Sequence, residues 1–395
     1  MSTIFSAAAK LPVTVLSGFW GAGKTPLLNR AGLKVAVIVN GMSEINLDAQ
    51  QVTREGGLSR TEERLVEMSN GCICCSLRED LMLEVTKLAR EKRFDYLLIE
   101  STGIFEPLPV AQTFSFVSED GTIGLSRHAR LDTLVTVVDA FNFGRGFGSM
   151  DRLPDRQLHE ADPEDRRTIV NLLTEQIEYA NVIVLNKADL VPTATLGELK
   201  AVLRKLNPGA RFVEASFGQI PLHDILNTRL FDQEQAQQTA GWHEELKHSP
   251  HPPETEEYGI GSFVFRDSRP FHPARFWAYV SERWPAKVIR SKGLFWLAAR
   301  PADALNWGQA GGSLRAESAG SWWAAIERPE LHRAFRENRE LILSRWDKRF
   351  QDRVNELVFI GQDLEEAGIR QELEACLCTE AEVSQWQRGG QFADP

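Results

Sequence analysis

Residues 11–25 read Leu-Pro-Val-Thr-Val-Leu-Ser-Gly-Phe-Trp-Gly-Ala-Gly-Lys-Thr, a β-branched apolar run that stops at a glycine-rich turn. From Gly18 to Thr25 the stretch fits G-x-x-x-x-G-K-[ST], after an expected strand and before a short helical segment, the context this motif requires. Its glycines let backbone N–H groups close around phosphate oxygens. Lys24 adds a point charge for the β and γ phosphates, and the Thr25 hydroxyl is a Mg²⁺ ligand. Gly18, Gly21, Ala22, Gly23, Lys24 and Thr25 are therefore the candidate phosphate cradle. The alternative is an ordinary glycine-rich strand-to-helix turn with no ligand.

Similar runs recur at 33–39, 96–99, 134–138 and 182–185, with amphipathic stretches at 77–91 and 169–179. Nearly continuous apolar strands alternating with helices predict an α/β fold, a doubly wound and mostly parallel sheet. From about residue 232 the chain turns Gln-rich and then reads His-Ser-Pro-His-Pro-Pro-Glu-Thr-Glu-Glu at 248–257, where prolines break any regular element. Strands expected at 262–265, within 287–298 and at 357–360, with helices at 273–283 and after the last strand, make a smaller α+β C-terminal domain. The expected division is a nucleotide-binding domain at 10–231, a linker at 232–258 and the α+β domain at 259–385.

Composition narrows the function. The 395 residues leave room for two domains, and 43% hydrophobic with 25% charged residues is the profile of a folded globular chain. A net charge of −10 argues against nucleic acid and anionic membranes as partners. No apolar stretch approaches the ~18 residues of a bilayer span, and Met1 to Lys10 lacks the pattern of a secretory leader, so a cytoplasmic location is expected.

Asn186-Lys187-Ala188-Asp189 follows the 182–185 run. A carboxylate there accepts hydrogen bonds from both N1–H and the 2-amino group of guanine, a donor pair adenine lacks, so GTP is the expected nucleotide. Asn186, Lys187 and Asp189 are assigned to its pocket. Glu100 ends the strand in Tyr-Leu-Leu-Ile-Glu-Ser-Thr-Gly, 96–103, and is read as the acid that holds Mg²⁺ through water while the Gly103 N–H meets the γ-phosphate. Asp139, ending the 134–138 run, competes for that role. The expected catalytic residues are Lys24, Thr25 and Glu100.

Three of the five cysteines crowd into Gly71-Cys72-Ile73-Cys74-Cys75-Ser76, just before an expected helix. A helix N-terminus lowers thiol pKa, and thiolates bind soft or borderline metals, Zn²⁺ by default, with Fe or Co as alternatives. Three cysteines in four residues do not readily face one ion, so a site of two thiolates and outside ligands is expected, with Glu44 as the third ligand. A redox pair and buried apolar thiols are the competing readings. Cys376 and Cys378 are read as core, about 200° apart on a helix, His272 as the cap of a helix starting at Pro273, and His243, His248 and His251 as solvated linker residues, with metal collection as the competing reading. Trp277, Trp284, Trp296, Trp307, Trp322 and Trp323 are expected in the core, with an exposed subset as a surface for a protein partner.

Gly-Phe-Trp-Gly-Ala-Gly-Lys-Thr, Gly-Cys-Ile-Cys-Cys, Glu-Ser-Thr-Gly and Asn-Lys-Ala-Asp, in this order, resemble the CobW-like P-loop GTPases, relatives of the HypB and UreG metal-insertion proteins. The C-terminal half resembles the family's second domain through Glu-Tyr-Gly-Ile-Gly-Ser at 257–262, Arg-Pro-Phe-His-Pro at 269–273, Gln-Ala-Gly-Gly at 309–312 and Glu-Leu-Val-Phe-Ile-Gly at 356–361. Within the family the chain is similar to nitrile hydratase activators and to zinc chaperones. The resemblance implies a GTP-hydrolysing metallochaperone that delivers a metal ion to a client metalloenzyme, nitrile hydratase or a zinc enzyme, with Cys72, Cys74 and Cys75 matching the metal motif. A client-binding chaperone with a vestigial nucleotide site is the alternative, and homodimerisation stays open.

Two features depart from the resemblance. Pro26 stands where the family usually has Thr, and proline has no N–H to offer the α-phosphate. Only about seven residues, Lys24 to Arg30, are available for the helix after the loop, a rise of roughly 10 Å. Nucleotide affinity should therefore be weakened: a fluorescent GTP analogue is expected to bind Pro26→Thr more tightly than the unsubstituted chain, and equal affinities would defeat this reading.

Overall fold

The computed structural model describes residues 10–19, 21–24, 35–40, 64–68, 76–100, 107–115, 124–147, 151, 168–233 and 258–394. The chain divides into two compact units, Met1–Gly241 and Trp242–Pro395. The first holds seven strands, β1 (Leu11–Gly18), β2 (Val35–Asn40), β3 (Arg64–Met68), β4 (Tyr96–Glu100), β5 (Ala129–Asp139), β6 (Val182–Asn186) and β7 (Arg211–Glu214). They pair in the order β3-β2-β4-β1-β5-β6-β7, every neighbour parallel. Helices α1 (Ser76–Glu91), α2 (Pro107–Ser115), α3 (Phe143–Phe147), α4 (Ile169–Glu178) and α5 (Thr193–Leu206) connect them. The expected α/β class is the one observed.

The apolar runs are continuous because both faces of the sheet are covered, and the two-residue strand period deals their side chains into two cores. Val13, Val15, Ala36, Ile38, Leu97 and Ile99 pack with Val85 and Leu88 of α1 and Phe114 of α2. Leu16, Val35, Val37, Leu98, Val135 and Val184 pack on the other side with Ala215, Ile220, Ile225 and Leu226.

β5 is far longer than its apolar run, because Asp132 and Thr133 interrupt the pattern yet are fully buried. Asp132 accepts hydrogen bonds from the Tyr96 hydroxyl (2.7 Å), Thr133 Oγ1 (2.9 Å) and the backbone N–H groups of Thr228 (2.8 Å) and Arg229 (3.2 Å), and it pairs with Arg130. The same Tyr96 oxygen accepts from Asn227 N at 2.8 Å and shares a bond with Thr14 Oγ1 at 3.0 Å. This knot ties residues 227–229 to β1, β4 and β5. Burial pushes the Asp132 carboxyl up, but the bonds from Tyr96, Arg130 and Thr133 outweigh it and hold the group below the ordinary carboxylate range.

The second unit carries an antiparallel sheet in the order β11-β10-β9-β12-β8, from β8 (Ile260–Asp267), β9 (Val288–Phe295), β10 (Asp303–Ala310), β11 (Ser313–Ser321) and β12 (Asn355–Gln362). Helices α6 (Pro273–Glu282), α7 (Arg333–Glu337), α8 (Arg339–Ser344), α9 (Glu366–Cys376) and α10 (Glu380–Gln387) complete it. Its core is aromatic: Phe263 stacks on Phe359 at 4.9 Å, and Phe271 on Phe276 at 4.3 Å. Trp296, Trp307 and Trp322 are buried, whereas Trp277 is exposed.

Cys376 and Cys378 are buried in this unit, with burial pushing their thiols up to about 11 and about 12, which keeps them neutral and unsuited to binding metal. Only Cys376 lies within α9; Cys378 lies beyond its end, so the shared-helix expectation is corrected. His272 does occupy the position before α6, but its side chain makes no capping bond; the first turn already carries Pro273. A side-chain cap appears instead at α10, where Thr379 and Glu382 form a capping box. The Arg275 hydrogen bond helps to pull the Glu382 carboxyl down to about 2. No helix among the described residues is long and apolar enough to cross a membrane.

Replacing Asp132 by Asn puts an NH₂ group among donors and should cost about 2–4 kcal/mol in urea unfolding at pH 7. The native carboxyl is depressed, so its contribution is complete above the ordinary value of about 3.9 and lost as pH falls through the native one. The gap between the two proteins should therefore narrow in acid; equal stabilities at pH 7 would contradict the knot.

Candidate functional site

The direction of winding reverses at β1: β4 and then β2 and β3 lie on one side, and β5, β6 and β7 on the other. Ligands of open parallel sheets bind beyond the carboxyl ends of the strands at such a reversal. Gly18, Asn40, Glu100, Asp139 and Asn186 are the last residues of β1, β2, β4, β5 and β6, so all five stand at this edge.

The loop leaving β1 is shaped by close backbone approach. A Cβ on Gly18, φ +141°, would sit 2.4 Å from the Val137 carbonyl oxygen, so only glycine lets β1 end against β5. Ala22 N donates to Phe19 O at 3.1 Å, and the buried Lys24 ammonium donates to Gly18 O at 2.9 Å, folding the lysine back across the loop.

Asn186 fixes this loop to a second one. Its Nδ2 donates to Ala22 O at 2.8 Å, and its Oδ1 accepts from Gly218 N at 2.9 Å. The side chain is buried, and a Cβ on Gly23, φ +92°, would lie 2.3 Å from that Nδ2. The glycine of the phosphate motif thus makes room for the asparagine. Two further bonds, Ala188 N to Ala215 O (3.1 Å) and Ala215 N to Leu185 O (2.8 Å), hold residues 185–188 against the start of the 215–219 turn.

Lys187 takes a left-handed conformation, φ 60°, and donates from Nζ to Asp139 Oδ2 at 2.6 Å. Asp139 also accepts from Phe141 N (3.1 Å), Asn142 N (3.1 Å) and Asn142 Nδ2 (2.8 Å). Burial raises the Asp139 carboxyl, but the bonds from Lys187 and Asn142 prevail and hold it low. Asp139 is therefore a bracing carboxylate, engaged by Lys187 and its own turn. Glu100 is buried at the end of β4, opposite Leu16 of β1 and Val39 of β2. Asp189 is exposed in the short 3-10 turn 188–190.

The structure thus bonds Lys24 to Gly18 and Asn186 to Ala22, packs Gly23 against Asn186 and holds Lys187 on Asp139, with Glu100 and Asp189 at the same edge. Thr25, Pro26, Glu44, Cys72, Cys74, Cys75, Gly103 and the linker histidines 243, 248 and 251 lie outside the described residues. In sequence, Cys75 directly precedes Ser76, where α1 begins. Among the described residues no group of three or more His, Cys, Asp or Glu is placed to hold a metal. Sequence reading missed the turn at 215–219. β7 before it is only Arg-Phe-Val-Glu, half-exposed and without an apolar run. The available signal was Ser-Phe-Gly at 216–218, a turn glycine beside an aromatic.

The fold and this edge define a phosphate-loop nucleotide-binding protein of the α/β class. The family model "CobW/HypB/UreG, nucleotide-binding domain" matches residues 12–214, and "Cobalamin synthesis protein cobW C-terminal domain" matches 260–377. A protein of Dictyostelium discoideum named "Zinc-regulated GTPase metalloprotein activator 1" is 44% identical over 390 residues, 95% of this chain and 81% of that one. "Zinc chaperone CobW" of Pseudomonas aeruginosa is 33% identical over 231 residues, 55% of this chain and 60% of that one. The chain belongs to the CobW/HypB/UreG family and carries the CobW C-terminal domain.

Proposed function

We propose that this chain is a GTP-driven zinc metallochaperone: it binds and hydrolyses GTP at the carboxyl edge of the parallel sheet and couples nucleotide state to a metal site on Glu44, Cys72, Cys74 and Cys75. The observation that carries the nucleotide half is Asn186, which bonds the phosphate loop at Ala22 and the 215–219 turn at Gly218, and stands three residues before the exposed Asp189. That arrangement supports phosphate binding at residues 18–25 and purine binding at 186–189 as one preassembled site. Residues 10–231 are the GTPase domain in this reading, 232–258 the linker and 259–385 the second domain.

Mg²⁺ bound by Thr25 and, through water, Glu100 would neutralise charge between the β and γ phosphates. The buried Glu100 carboxylate at the end of β4, between β1 and β2, suits that task, and Asp139 is occupied with Lys187. Lys24 then steadies the phosphates, and Gly103 lies on the segment that follows Glu100, where loss of the γ-phosphate would be felt.

Zinc is the cargo chosen over iron or cobalt because both relatives reported above carry zinc in their names. The cysteines precede α1, whose N-terminal end favours thiolates, which bind Zn²⁺. The client is a metalloenzyme, and nitrile hydratase is the narrower reading that the motif resemblance supports. Coupling of this kind typically changes affinity by about 5- to 150-fold. Zinc affinity, measured by competition with a chromophoric chelator, is expected to differ about tenfold or more between the GTP-loaded and GDP-loaded protein. Lys24→Ala should abolish the difference while keeping zinc binding. Identical zinc affinities with GTP, with GDP and without nucleotide would refute the coupling.

A further inference from the structure

The described part of the first unit exposes four large apolar side chains, Leu83, Phe141, Leu190 and Phe217. Three of these, Phe141, Leu190 and Phe217, follow the successive neighbours β5, β6 and β7 at the carboxyl edge of the sheet. Phe217 stands out most, at 76% exposed, and it holds φ 53°, a left-handed conformation that bulky residues rarely adopt. The turn is nonetheless well fixed: Gln219 N donates to Ser216 O at 3.0 Å, and Gly218 N donates to the buried Asn186 at 2.9 Å. An exposed aromatic ring is thus carried on a rigid turn, one residue from the amide bonded to Asn186. Across the paired turns, Lys187 is left-handed as well, and its ammonium is anchored on Asp139, so its aliphatic stem is held in place.

A purine is the ligand chemistry this arrangement fits. Its flat faces need apolar or π-rich platforms, and its edge needs a hydrogen-bonding partner. Asp189, exposed on the 188–190 turn, supplies the partner, and Leu190 and Phe141 add apolar surface at the rim. We propose that Phe217 is the stacking platform for the purine ring of the bound nucleotide, a positioning residue outside every motif read from the sequence. The proposal rests on the nucleotide reading above and adds the residue that grips the base.

Stacking holds the ring face and ignores the edge, so it predicts a characteristic pattern. In calorimetric titrations of the full chain, Phe217→Ala should weaken GTP and inosine triphosphate by the same factor, about 5- to 50-fold, because the two differ only at the purine edge. Inorganic tripolyphosphate, which has no base, should bind both proteins equally, and Phe217→Trp should keep GTP affinity. GTP affinity within twofold of the unsubstituted chain in Phe217→Ala would overturn the proposal. An equal loss for tripolyphosphate would overturn it too, by showing that the turn acts on the phosphate loop through Gly218 and Asn186. If the unsubstituted chain binds tripolyphosphate but not GTP, the nucleotide reading itself fails and the platform falls with it.

Discussion

One carboxamide, that of Asn186, carries the geometry on which this edge depends. Its nitrogen takes the carbonyl of Ala22 and its oxygen takes the amide of Gly218, so two loops from distant parts of the chain are fixed by a single buried side chain. Each bond contributes about 1 kcal/mol net, but leaving a buried partner unsatisfied costs about 1–3 kcal/mol, so the larger effect is the penalty for any arrangement that breaks them. The same constraint explains Gly23, whose absent Cβ leaves the space that Nδ2 occupies. Strand β6 delivers Asn186 to that point because its register sets Asn186 beside Asp139, and Asp139 in turn holds Lys187.

The opposite edge of the sheet is stabilised by different chemistry. There Asp132 and Tyr96 are saturated with internal hydrogen bonds and tie residues 227–229 to the sheet. Those groups are committed to one another, whereas at the carboxyl edge Asp189 and Phe217 remain exposed. Buried polar groups thus brace both ends of the sheet, but only at the carboxyl edge do the braced turns carry exposed side chains, Asp189 and Phe217. The second unit adds an aromatic core in which Cys376 and Cys378 are apolar filling with raised thiol pKa values.

Much of this was legible in the amino-acid sequence wherever the strands are apolar on both faces. β1, β4 and β6 are fully or almost fully buried runs, and their pattern announced both the parallel sheet and the place of the phosphate loop. β7, β10 and β11 were not legible, and neither was β3, whose Arg-Leu-Val-Glu-Met has no continuous apolar run. The first is a four-residue strand, half-exposed, and β11 is an almost wholly exposed edge, so burial imposed no pattern on either. β10 breaks its run with Asn306 and Gly308. Lys24, Asn186 and Lys187 were singled out by motif spacing, and each makes a defined side-chain bond at this edge, to Gly18, to Ala22 and Gly218, and to Asp139. Gly218 was not, since it contributes only a backbone N–H, which every residue but proline owns. Asp139 shows the converse: its position at a strand end suggested a metal ligand, and only the contacts of Lys187 and Asn142 reveal a brace.

The central claim is that the phosphate loop, residues 186–190 and residues 215–219 form one preassembled nucleotide site through Asn186. Amide hydrogen exchange with and without a non-hydrolysable GTP analogue tests it most directly. Slowed exchange is expected together in peptides covering 18–24, 186–190 and 215–219, with 225–231 at the opposite edge unchanged. Slowing of the phosphate loop alone, with the 215–219 turn exchanging as before, would contradict the account.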